Sequence, residues 1–119
     1  MRSENPDVDR LMGEAMQARR WYDFDKALLL LDQIVEIDPS YAEAWNQRAT
    51  IYFHRGDYEQ ALEAVAKTLE REPRHFGALA GRGMIRLRQG SSALAIQNIK
   101  AAVAFHPYLR ERALLPPQY

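Results

Sequence analysis

Prolines stand at positions 39, 73 and 107, two intervals of 34 residues, and the residues between them can be laid over one another at that period. A chain that repeats itself at such a period is built from copies of one supersecondary unit, none of which buries its apolar face alone. The columns show what is copied. One holds Ala15, Ala49 and Gly83, and another, twelve residues on, holds Ala27, Ala61 and Ala95. Two helices approach closely only where side chains are small, so these columns predict the crossing point of a helix pair in each copy. Larger apolar columns surround them: Leu11, Trp45 and Leu79; Leu28, Leu62 and Ile96; Val35, Leu69 and Val103. Between the paired helices come Gly56-Asp57 and Gly90-Ser91, with Tyr22-Asp23 in the same slot of the first copy. The unit is a helix, a tight turn, a helix and a proline-marked exit. Three copies consume nearly all of the 119 residues, which predicts a single all-α domain.

The central copy resembles the tetratricopeptide repeat, whose pattern runs W-x2-L-G-x2-Y, then A-x3-F, then P. Trp45, Ala49, Tyr52, Ala61, Val65 and Pro73 occupy matching positions, while Arg48 stands where the family prefers leucine. The resemblance covers residues 8–107 and implies a right-handed α-solenoid of three helix-turn-helix units. Their limits fall near 8–41, 42–75 and 76–107, with a lead-in at 1–7 and a short capping helix and tail in 108–119. The stretches 41–46 and 72–79 are also similar to a group of small bacterial members, many of them exported. Met1 to Arg10 is polar with no apolar core of a signal peptide, so the default expectation is cytoplasmic. An exported or periplasmic location would require an upstream signal.

Chemistry is excluded class by class. Without cysteine there are no disulfides, thiol nucleophiles or zinc-cysteine sites. The three histidines, His54, His75 and His106, lack the i, i+3 or i, i+4 spacing of helical metal ligands. Gly81-Arg82-Gly83 is a fragment of a phosphate loop without its preceding strand. The longest apolar run, Ala27 to Leu31, is too short to span a membrane. Arg82, Arg86, Arg88 and Lys100, with no interleaved aromatics, do not read as a nucleic-acid surface. The expectation is a non-enzymatic module with no cofactor or metal, whose partner is another protein or a peptide.

In the tetratricopeptide family the first helix of each unit lines a concave groove, and the resemblance carries that role to particular residues. In the first unit they are Met12 and Met16; in the second Glu43, Asn46, Thr50, Phe53 and His54; in the third Gly77, Ala80, Gly81, Met84 and Leu87. Arg19, Arg20, His54 and Arg88 align with the groove margin and favour a ligand with acidic residues. Relatives that clamp a chaperone's carboxylate tail use lysine, arginine and asparagine at set groove positions; in the third helix pair those positions fall on Gly77 and Gly81, neither of which can pair with a carboxylate, so that role is not expected. Charge runs along the chain: residues 8–41 carry seven acidic and four basic side chains, residues 76–109 none and four. That gradient motivates an alternative, a homo-oligomer in which the acidic first unit of one copy meets the basic third unit of the next. Leu28 to Leu31 gives the second helix more apolar surface than one buried stripe needs, so Leu29 or Leu30 is expected to be exposed, to cover an end of the solenoid, or to mark a missing upstream segment.

Overall fold

The same turn chemistry, written three times, sets the architecture in the computed structural model, which describes residues 5–116. Six helices run in order: α1 (Pro6–Arg20), α2 (Phe24–Ile37), α3 (Ala42–Arg55), α4 (Tyr58–Arg71), α5 (Phe76–Arg88) and α6 (Ser92–Phe105). Each exit turn bonds alike. The amides of Tyr41, His75 and Leu109 donate to the carbonyls of Asp38, Glu72 and His106, with Pro39, Pro73 and Pro107 next in sequence. Inside each hairpin the chain reverses through a left-handed residue: Gly56 at φ 80, Gly90 at φ 81 and, in the first unit, Tyr22 at φ 62. The following amides of Asp23, Asp57 and Ser91 each reach back five residues, to Ala18, Tyr52 and Arg86. These bonds satisfy carbonyls that a helix end leaves open. Asn5 caps α1 by accepting from the Asp7 amide at 2.8 Å, and Pro6 opens the helix two residues before the expected 8.

Both small columns are the crossing seams. Ala15, Ala27, Ala61 and Ala95 have no exposure, and Ala49 and Gly83 are buried beside them. A methyl group at Gly83 would lie 2.7 Å from Ile99 Cγ1 and 3.2 Å from the Ala95 carbonyl oxygen, so only hydrogen fits between α5 and α6 there. Around the seams Leu31, Ile34, Ile51, Val65, Ile85 and Ile99 form the buried fill. Leu30 is buried and Leu29 is 61% exposed, which resolves the leucine run of α2.

Trp45 departs from a simple core role. Its indole N–H donates to the Pro39 carbonyl at 3.2 Å, and Arg71, Lys67 and Arg48 stand 4.8, 5.3 and 5.4 Å from its ring. Arg48, in the family's leucine position, holds its guanidinium over the ring and pairs with Asp32 of α2. At the carboxyl end the capping segment is a 3-10 helix, Arg110–Leu114. Leu109 packs on Leu79, Ala80 and Ala102, while Tyr108 and Leu114 remain exposed. Pro107 and Pro116 bracket too few residues for a longer helix to cover that end.

Candidate functional site

Groove geometry follows from helical period. Residues 46, 50, 53 and 54 share a face of α3, as do 77, 81 and 84 of α5, because three and four residues make about one turn. The two faces meet across a cleft of about 340 Å³ lined by Asn46, Thr50, Phe53 and His54 on one side and Gly77, Gly81 and Met84 on the other. Seven expected groove residues are thus brought together. Arg110 and Glu111 of the 3-10 segment also line this cleft, a contribution that sequence columns stopping at Pro107 did not reveal.

The remaining expectations divide. Ala80 lies in the core, 4% exposed and packed with Leu79 and Ala102; one residue from Gly81 is about 100° of helix rotation, enough to turn it away from the cleft. Met12 and Met16 are half-buried against the first unit's core, and Leu87 is half-buried on α5. Arg19, Arg20 and His54 line a second cleft with Tyr22 and Phe24. Arg88 sits 5.6 Å over the Phe53 ring and lines a third with His54, Arg55 and Tyr58.

Gly77 and Gly81 look alike in sequence and differ in space. A methyl at Gly77 would meet the His75 ring at 3.1 Å, whereas one at Gly81 would meet nothing within 4 Å. His75 is the residue that sequence reasoning missed. Its Nδ1 accepts the Ala78 amide at 3.0 Å and so caps α5, and its Nε2 pairs with Glu43 Oε2 at 3.0 Å. With Nδ1 accepting, Nε2 carries the proton and donates. Gln47 donates to the same carboxylate at 2.8 Å, and Asn46 approaches it at 3.5 Å. Burial alone would raise the Glu43 carboxyl, but the hydrogen bonds from His75, Gln47 and Asn46 outweigh it and hold it below the ordinary carboxylate range. Glu43 is therefore a bolt between α3 and α5 more than an open groove acid. The available signal was that Tyr41, His75 and Leu109 share the slot before a first helix, and only histidine among them can cap with its side chain.

An aromatic row runs along the turn edge of the groove. Tyr22 meets Phe24 edge-on at 6.0 Å, Phe24 stacks on His54 at 6.5 Å, His54 meets Phe53 at 5.7 Å, and Phe53 meets Tyr58 at 6.0 Å. His54 is common to all three clefts. Among the described residues no helix is long and apolar enough to cross a membrane, and no group of three or more His, Cys, Asp or Glu is placed to hold a metal ion.

The tetratricopeptide repeat model matches residues 22–82, more than half of the chain. This chain belongs to the tetratricopeptide repeat family. It is 37% identical over 81 residues to a TPR repeat-containing protein of Rhizobium etli, an alignment covering 68% of this chain and 40% of that one. It is 28% identical over 106 residues to the bimA protein of Emericella nidulans, covering 85% of this chain and 13% of that one. The matched region thus spans less than half the length of either relative. Among solved structures, the first TPR domain of Spaghetti, bound to an HSP90 peptide, superposes with a TM-score of 0.85 at 16% identity, over 91% of this chain and 86% of that one. The Arabidopsis OM64 TPR domain gives 0.83 at 15%, over 90% and 88%. Both solved domains share the all-α solenoid fold of this chain, a fold that commonly mediates protein–protein interaction.

Proposed function

We propose that this tetratricopeptide domain is a non-enzymatic interaction module that holds an extended peptide or a helix of a partner protein between α3 and α5. The observation that carries this reading is Gly81. A glycine in a helix interior costs roughly 1 kcal/mol relative to alanine, yet no described residue occupies the space a side chain there would take. Helix stability is given up at a position that faces the cleft. Around that bare floor stand adaptable Met84, the ring of Phe53, and Asn46 and Thr50, whose polar atoms suit a peptide backbone. The partner class is a peptide with an apolar anchor, and the margin arginines favour acidic residues beside it. In an array of acetylated nonapeptides scanned position by position, the full chain is expected to select Met, Leu or Phe at one position. Met84→Glu should abolish that selection while far-ultraviolet circular dichroism stays unchanged. Unchanged selection by the variant would eliminate this groove.

Head-to-tail self-assembly is the alternative, favoured by the charge gradient and by Phe105 and Leu114, 42% and 48% exposed near the basic end. Light scattering at two protein and two salt concentrations separates the readings. A constant mass near 13.7 kDa supports the free groove, and a mass that grows with concentration and shrinks with salt supports assembly.

A further inference from the structure

Arg19 and Arg20 close α1 in the most acidic third of the chain, yet neither has an ion pair among the described residues. The other arginines of α1 and α3 do: Arg10 pairs with Glu14, Arg48 with Asp32, and Arg55 with Asp25 and Asp57. Acidic groups close by in sequence are engaged elsewhere, Asp23 in capping α2 through the Lys26 amide and Asp25 on Arg55. The two free guanidinium groups line one cleft of about 450 Å³, whose other walls are Tyr22, Phe24 and His54 and which no carboxylate lines.

Tyr22 is the second, independent observation. At φ 62 it takes a left-handed conformation that the other two units give to glycine, one that strains a residue bearing a side chain. Burial does not repay this, because the side chain is 81% exposed. The favourable field at a helix carboxyl end accounts for two arginines, but not for an aromatic ring held out beside them in a strained turn. An observed backbone outlier of this kind points toward function.

We propose that this cleft is a second subsite, which receives an acidic residue on Arg19 and Arg20 and an adjacent aromatic or proline residue on the Tyr22 ring. The inference rests on the groove reading, since His54 lines both clefts and a single peptide would run past it to place its apolar anchor over Gly81 and Met84. It differs from the chaperone-tail clamp, which the resemblance places on Gly77 and Gly81, neither of which has a side chain to pair with a carboxylate. Guanidinium pairs recognise a carboxylate by planar hydrogen bonding, and an exposed ring offers a flat apolar face with little entropy to lose.

The nonapeptide array described above tests it when read with wild type, the double variant Arg19→Gln/Arg20→Gln, and Tyr22→Gly. Wild type should select Asp or Glu at one position, Phe, Tyr, Trp or Pro beside it, and the apolar anchor at a fixed distance. The double variant should lose the acidic preference, bind the selected peptide about tenfold more weakly and lose most of its salt dependence, with the anchor preference kept. Tyr22→Gly should lose the ring preference alone. A wild-type chain that selects the apolar anchor without an acidic neighbour overturns this subsite and leaves the groove standing. So does a double variant that keeps the acidic preference. A chain that selects no peptide overturns both readings.

Discussion

Gly81 and Gly83 stand two residues apart on α5, and a methyl group added to each meets opposite fates. At Gly83 it strikes Ile99 at 2.7 Å; at Gly81 it finds nothing within 4 Å. One glycine lets two helices of the same chain touch, and the other leaves a surface that the chain does not fill. The same residue type thus marks the seam and the groove, and only the packing around it tells them apart. The seam should therefore resist change in stability measurements, and the groove should tolerate or welcome it.

The largest effect is expected at the seam. Gly83→Val inserts a branched side chain between α5 and α6 and should lower the unfolding free energy by about 2–3 kcal/mol, as overpacked cores do. Urea denaturation measures it directly, and a variant as stable as wild type would show that the helices can slide apart, dissolving the distinction between the two sites.

Glu43 sharpens the comparison because it faces the groove by position and behaves as part of the seam. Replacing it with glutamine keeps the volume and removes the charge that His75 and Gln47 bond, a loss of roughly 1–2 kcal/mol at neutral pH. The sign with pH follows from the lowered pKa. A carboxyl held below its unfolded value contributes stability that is complete above that value and disappears as pH falls through the folded one. From about pH 5 downward the wild type should lose stability and Glu43→Gln should lose less, so the two denaturation curves converge. Parallel curves would show that the bolt does not link the second and third units.

At Gly81 the sign reverses. Alanine there meets no neighbour and should stabilise α5 by roughly 1 kcal/mol, raising the melting temperature by about 4 °C. The added methyl narrows the cleft floor, so peptide capture should weaken as stability rises. A stabilised variant with undiminished capture would leave Gly81 as an accident of composition.

What the sequence made legible was whatever repeats. The 34-residue period placed both seams and all three hairpin turns, and the family resemblance, carried along the same columns onto the first helices, named the seven residues that line the cleft. What escaped were features that belong to one copy. Ala80 was assigned to the groove because it adjoins Gly81, and rotation about the helix puts it against Ala102. The Glu43–His75 bolt joins residues 32 apart and depends on a ring filling a cap position that holds tyrosine or leucine in the other copies. The Arg110–Glu111 contribution to the cleft lies beyond the last full unit. Arg19 and Arg20 are visible in sequence only as charge, because their having no ion pair among the described residues depends on where Asp23 and Asp25 are engaged.

The smallest effect is expected at Tyr22, where the comparison of glycines can be run backwards. Gly56 and Gly90 hold the left-handed position in their units, so Tyr22→Gly makes the first hairpin conform to the other two. Relief of the left-handed strain, roughly 1–2 kcal/mol, is offset by the greater entropy that glycine loses on folding, roughly 0.5–1 kcal/mol. Loss of the edge contact with Phe24 removes a further fraction, small because the ring is exposed. The net is a stabilisation of about half a kcal/mol, measurable as a small upward shift in the urea midpoint with an unchanged slope. If the variant is instead clearly less stable, the tyrosine is holding the hairpin together and its strain has a structural cause. If it is more stable, a ring that costs the fold energy is being kept at the edge of a cleft with Arg19 and Arg20, which is what a binding surface requires and a packed turn does not.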